Sequence, residues 1–135
     1  LLYEKCHSPL IKNEASETFF NQINDFVAYI NATCYLGISN KEFHYAIYPE
    51  GTFSNRHLDV FKNDTRRKLS IVCYLNDENW QPEFGGELVI YKPEEEIKIY
   101  PLKGRVVIFE SQILEHEVKP VQRKRFSITG WLKTS

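Results

Sequence analysis

The chain has 135 residues, of which 42% are hydrophobic, 14% aromatic and 26% charged, with a net charge of −1. That is enough chain for one domain with a real core and too little for two. The near-neutral balance excludes a global positive field of the kind that draws proteins to nucleic acid, although a local basic loop is compatible with it.

Cys6, Cys34 and Cys73 are odd in number, widely spaced and without a Cys-x-x-Cys pair. Neither a disulfide framework nor a structural zinc site is expected, and reduced thiols in a soluble cytoplasmic protein are. No apolar run approaches membrane-spanning length, and Leu1-Leu2-Tyr3-Glu4-Lys5 lacks the layout of a signal peptide. The first residue is Leu rather than Met, compatible with a chain that continues upstream.

Residues 1–13 have no clear period and read as a lead-in that extends through the first helix to residue 36. From Ser16 to Asn31 the apolar residues Phe19, Phe20, Ile23, Phe26, Val27 and Ile30 recur at helical spacing. Asn13 or Ser16 could cap the start. This aromatic stripe predicts a helix packed on a sheet rather than a binding groove.

After Gly37 the pattern changes to short β-rich runs separated by turn residues. They are Phe43–Tyr48, Arg56–Phe61, Lys68–Leu75, Glu87–Tyr91, Ile97–Tyr100, Arg105–Glu110, Leu114–Val121 and Arg125–Leu132. Pro49-Glu50-Gly51, Asn63-Asp64, Phe84-Gly85-Gly86, Lys92-Pro93, Lys103-Gly104 and Gln122-Arg123 punctuate them. Strands at this spacing, with no room for helical crossovers, predict a mainly β fold, an antiparallel barrel or jelly roll over residues 43–132. Glu94-Glu95-Glu96 is expected to be solubilising charge in a turn.

Arg56-His57-Leu58-Asp59 is the stretch with chemical content. On a strand, His57 and Asp59 share a face. An imidazole and a carboxylate on one face supply two of the three ligands of the 2-His-1-carboxylate triad that holds non-heme Fe(II). A third ligand must come from His7, His44 or His116. His7 lies in the lead-in and His44 near a strand start, where structural or surface roles are expected. His116 sits in Leu114-Glu115-His116-Glu117-Val118, on the apolar face of the alternation, where a satisfied core histidine and a ligand are both open.

The last strand places Arg125, Ser127, Thr129 and Trp131 on one face. An arginine on the inward face of a barrel is costly unless it meets an anion, because guanidinium does not discharge itself by losing a proton. Its fork suits a carboxylate, whether a ligand's or that of an internal Asp or Glu.

In order along the chain stand Tyr48-Pro49, Arg56-His57-Leu58-Asp59, Tyr74-Leu75-Asn76 with Trp80, and Gly85-Gly86-Glu87-Leu88. His116-Glu117-Val118 and Arg125-x-x-Ile128-Thr129-x-Trp131 follow. This ordered set resembles the 2-oxoglutarate/Fe(II)-dependent dioxygenases, in the prolyl-hydroxylase branch, and is similar to both hypoxia-sensing and ribosomal-protein prolyl hydroxylases. The resemblance implies a double-stranded β-helix, or jelly roll, backed by helices, and a catalytic domain over residues 1–135. Carried over by position, His57, Asp59 and His116 would bind iron. Arg125, nine residues after His116, would bind the distal carboxylate of 2-oxoglutarate, with Tyr74 as its hydrogen-bond partner. Tyr48 matches a pocket tyrosine. Leu88, Val118 and Trp131 would form apolar walls, and Thr129 could bond the cosubstrate or a nearby water.

The implied activity is hydroxylation of a substrate C–H bond using O2, with release of succinate and CO2 and with ascorbate as a candidate reductant. The implied partner is a proline-containing protein or peptide. In the family the loop corresponding to residues 62–68 helps select the substrate, and a plain solvated loop accounts equally for its polar composition. Two rivals stand beside this reading: hydroxylation of a free amino acid or other small molecule, and a non-catalytic jelly-roll binding module. Nucleic-acid demethylases of the superfamily carry a second arginine six residues after the anchor, where this chain has Trp131, which argues against a nucleic-acid substrate.

Overall fold

The structure is a computed structural model that describes residues 6–9, 14–60 and 64–135, with side chains described from residue 17 onward. The elements are β1 (Cys6–Pro9), α1 (Glu14–Cys34), β2 (Asn40–Tyr48), β3 (Ser54–His57), β4 (Arg67–Tyr74), β5 (Leu88–Lys92), β6 (Glu95–Ile99), β7 (Val106–Glu110), β8 (Glu115–Val118) and β9 (Arg125–Lys133). A 3₁₀ turn spans Pro82–Phe84.

The strands form two antiparallel sheets, one ordered β1-β2-β9-β4-β7 and the other β3-β8-β5-β6. Strand neighbours far apart in sequence and two facing sheets make the expected jelly roll. The amphipathic stripe of α1 covers the outer face of the larger sheet. Ile23 and Ile30 pack with Phe43 of β2, Ile71 of β4 and Ile128 and Leu132 of β9, flanked by Phe19, Phe20, Phe26 and Val27. Phe19 meets Phe43 edge-on at 5.1 Å between ring centroids. Gly130 of β9 sits beneath that ring; any Cβ there would run into Phe43 and the Glu42 carbonyl.

A second apolar layer lies between the sheets and includes Tyr48, Tyr74, Leu88, Ile90, Phe109 and Val118. β4 therefore packs on both faces, through Ile71 on one and Tyr74 on the other. Each fully buried aliphatic side chain contributes about 1.5–3 kcal/mol, and Ile71, Leu132, Val89 and Val121 are all fully buried.

Several boundaries differ from expectation for identifiable reasons. The predicted lead-in contains β1, a four-residue edge strand paired to β2 and too short for a period to register. The helix runs from Glu14 to Cys34, longer than the apolar stripe alone; the predicted cap Asn13 and the side chain of Ser16 lie outside the described residues, as do Phe61 to Asn63. Strand β3 ends at His57 after a register shift, so Asp59 is not a strand residue. The chain is leaving one sheet for the other there, and the Asp59 N–H donates to the Ser111 carbonyl instead of to a ladder. The strand expected through Val121 stops at Val118, because Pro120 has no N–H to donate; Val121 rejoins through a single bridge to Gly85. Glu95 and Glu96 belong to β6, leaving Pro93-Glu94 as the turn, and all three glutamates are exposed.

Candidate metal centre

β3 and β8 lie side by side with His57 directly opposite His116. Their rings are 4.4 Å apart, centroid to centroid. Asp59, two residues past His57, turns back beneath them. Its Oδ1 lies 3.2 Å from His57 Nε2 and 3.2 Å from His116 Nε2. One potential ligand atom from each residue falls within 4.8 Å of the other two. The shared face expected from strand geometry is thus reached by a different route: an end-of-strand bend.

Backbone carbonyls decide which imidazole nitrogen faces the centre. His57 Nδ1 donates to the Asn55 carbonyl at 2.6 Å, and His116 Nδ1 faces the Leu114 carbonyl at 3.3 Å. A carbonyl only accepts, so Nδ1 is a donor on both rings, and Nε2 is the nitrogen of each ring that faces Asp59 and the centre. Phe109 packs edge-on against His116 at 4.7 Å. Burial alone would push the Asp59 carboxyl up, but hydrogen bonds from His116, His57 and Ser70 and the charge of His116 outweigh it. The group is held well below the ordinary carboxylate range and stays ionised. Two imidazole nitrogens and one carboxylate oxygen fit the 2-His-1-carboxylate donor set that holds non-heme Fe(II).

The same cavity is lined by Tyr48, Leu88, Val118, Arg125, Thr129 and Trp131. Arg125 is 2% exposed. Its Nε donates to the Gly86 carbonyl at 2.9 Å and an Nη to the Tyr74 hydroxyl at 3.3 Å. The rings of Tyr48 and Tyr74 each lie 5.0 Å from the guanidinium carbon. Burial raises both phenols despite the pull of the Arg125 charge, so they are neutral. No carboxylate pairs with Arg125 among the described residues, which sets aside the internal ion pair that the sequence left open. On the same face of β9, Ser127 Oγ and Trp131 Nε1 are buried without a hydrogen-bond partner. A buried, uncompensated guanidinium with orphaned polar atoms beside it fits a small anionic ligand, and a dicarboxylate such as 2-oxoglutarate suits it.

The other histidines lie elsewhere. His44 pairs with Glu42 at 2.9 Å on β2 and is not in the His–Asp–His group. His7 lies on β1, opposite Ala46, and its side chain is outside the described residues, like Lys62 and Asn63 of the 62–68 loop. Within that loop Asp64 binds Arg66, and the Arg67 guanidinium lies over the Trp131 ring at 3.6 Å.

Sequence reasoning missed four contributors. Ser70 donates to Asp59 Oδ2 at 2.7 Å and is itself 2.8 Å from the Ser111 hydroxyl. Phe109 backs His116, and the Gly86 carbonyl anchors Arg125. The available signal for Ser70 was a small polar residue at the inward parity of β4, in line with Val72 and Tyr74. Gly86 (φ 71°) stood in a quoted motif, and its lack of a side chain is required: a Cβ would lie 2.9 Å from Val121 and 3.2 Å from Arg125 Cδ.

A prolyl-4-hydroxylase of Pseudomonas putida superposes with a TM-score of 0.94 at 36% identity, covering 98% of this chain and 73% of that one. A prolyl hydroxylase of Trichoplax adhaerens, solved with a peptide fragment of the hypoxia inducible factor oxygen degradation domain, gives 0.87 at 27% identity, covering 97% and 63%. A PKHD-type hydroxylase of Synechococcus is 37% identical over 81 residues, 58% of this chain and 35% of the relative. The chain spans 35–39% of the length of the curated relatives it matches. No helix among the described residues is long and apolar enough to cross a membrane. The profile of the 2OG-Fe(II) oxygenase superfamily matches residues 43–133, taking in the His–Asp–His cluster, Arg125 and every strand from β3 to β9, and the chain belongs to that superfamily.

Proposed function

We propose that this chain is a 2-oxoglutarate- and Fe(II)-dependent dioxygenase that hydroxylates a C–H bond of a prolyl residue in a peptide or protein. It would consume O2 and release succinate and CO2. The observation that carries the reading is the convergence in one cavity of a His–Asp–His cluster, both Nε2 atoms facing inward, and a buried arginine with no carboxylate partner among the described residues.

Each residue has a distinct task. His57, Asp59 and His116 would hold Fe(II) through two imidazole nitrogens and one carboxylate oxygen, a donor set that leaves coordination positions available. Arg125 receives the distal carboxylate of 2-oxoglutarate, and the Tyr74 hydroxyl fixes the guanidinium fork. Tyr48 closes the buried end beside Arg125, and Thr129 offers a hydroxyl to the cosubstrate or a water. Leu88, Val118 and Trp131 keep water from the reacting centre. When bound, iron and 2-oxoglutarate together supply the oxidising chemistry, and the protein supplies position and dryness.

Support for a prolyl substrate comes from the P. putida and T. adhaerens enzymes, whose folds match this chain at 36% and 27% identity. Trp131, in place of a second arginine, argues against nucleic acid. Free thiols at Cys34 and Cys73 support a cytoplasmic setting, and ascorbate as reductant follows from the family resemblance alone. Anaerobic addition of Fe(II) and 2-oxoglutarate should give the weak visible charge-transfer band of the chelate, and His57→Ala should lose it. Proline-containing peptides should then raise succinate release and gain one oxygen by mass spectrometry. No band and no succinate would sink the enzyme reading; succinate without peptide oxidation, but with oxidation of free proline, would redirect the substrate.

A further inference from the structure

Asp59 is the one member of the cluster that no strand holds, since β3 ends at His57. Two contacts replace the missing ladder. The Asp59 N–H donates to the Ser111 carbonyl at 3.2 Å, and its Oδ2 accepts from the Ser70 hydroxyl at 2.7 Å. Ser70 and Ser111 are themselves joined, Oγ to Oγ, at 2.8 Å, and both are essentially inaccessible, at 2% and 0% exposure.

A serine hydroxyl has a single proton. Ser70 spends it on Asp59, so the bond between the serines runs from Ser111 to Ser70. The chain of donors therefore has one direction: Ser111 to Ser70 to Asp59 Oδ2. Successive bonds of this kind polarise one another in a low-dielectric interior. Ser70 lies on β4 and Ser111 directly follows β7, both strands of the larger sheet, whereas the imidazoles come from the smaller one. The carboxylate is thus gripped from one sheet while it faces ligands on the other.

We propose that Ser70, backed by Ser111, is a positioning residue that reserves Asp59 Oδ2 and presents Oδ1 alone to the metal. The inference rests on the metal-centre reading above and deepens it. A carboxylate free to turn could offer both oxygens and fill a position that cosubstrate or O2 needs. With Oδ2 committed to a hydroxyl, Oδ1 is the atom left between the two Nε2 nitrogens.

The test uses the whole chain and Co(II) or Mn(II) alone, without 2-oxoglutarate. Partners of this kind are worth about 10–100-fold in metal affinity. Ser70→Ala should bind Co(II) that much more weakly, with an altered visible d–d spectrum. Ser70→Thr, which keeps the hydroxyl, should retain both affinity and spectrum, and Ser111→Ala should fall between. Wild-type affinity and spectrum in a folded Ser70→Ala would overturn the proposal. If Ser70→Ala does not fold, Ser70→Cys against Ser70→Thr decides, because sulfur is a weak donor of similar size; equal Co(II) binding by these two overturns it. Failure of the wild type to bind any metal would instead remove the metal-centre reading itself.

Discussion

Arg125→Ala separates the two halves of the proposed site. The guanidinium is buried, its hydrogen-bond partners are the neutral Gly86 carbonyl and Tyr74 hydroxyl, and the rings of Tyr48 and Tyr74 flank it. An incoming carboxylate would be its only full counter-charge among the described groups. Truncating one partner of a buried, hydrogen-bonded charge pair costs about 2–5 kcal/mol, or about thirty-fold to several-thousand-fold in affinity at 1.4 kcal/mol per decade. Arg125→Lys keeps a charge but loses the fork and should lie between. The assay is titration of 2-oxoglutarate into anaerobic, metal-loaded protein, followed by the chelate band and checked by calorimetry. Metal affinity should be unchanged, because Arg125 is not one of the three clustered ligand residues. Unaltered 2-oxoglutarate affinity, or metal loss in step with it, would show that the anchor has been misassigned.

Gly86→Ala places a Cβ at a positive φ and within 2.9 Å of Val121, 3.2 Å of Arg125 and 3.3 Å of Trp80. It should cost about 2–4 kcal/mol in denaturant unfolding and weaken 2-oxoglutarate binding through the displaced arginine. Ile23→Ala, on the buried stripe of α1, should cost about 2–5 kcal/mol yet leave metal affinity alone in the folded protein, since none of the described side chains of α1 lines the cavity. Asp59, held below its ordinary value of 3.8, contributes stability that is fully present above that value and is lost as pH falls through the folded one. In metal-free protein, the stability gap between the parent and Asp59→Asn should therefore be constant near neutrality and narrow once pH drops below 3.8; a gap that does not change with pH would contradict the assignment.

Much of the fold is written locally. The helical period of Phe19 to Ile30, the turn residues after Gly37 and the strand alternation around His116 and Arg125 follow from backbone geometry that each segment carries by itself. The alternation put His116 and Arg125 on inward faces, and the structure buries both. Strand ends were harder to read, because Pro120 and the crossing from β3 to β4 act through what the neighbouring sheet can accept.

What the sequence determined alone is the inventory: the elements, their inward faces and a set of donors suited to iron and a carboxylate. Tertiary structure alone decided how that inventory meets. His57 stands opposite His116 because β3 pairs with β8, a contact between residues 59 positions apart that no local period encodes. Asp59 joins them from beyond the strand end, held by Ser70 and Ser111, which are 11 and 52 positions away along the chain and adjacent only once the sheets face each other. Which nitrogen of each imidazole points inward is likewise set by carbonyls that the folded backbone brings within reach. Side-chain chemistry is local, but the distances that turn it into a site are made by non-local strand pairing.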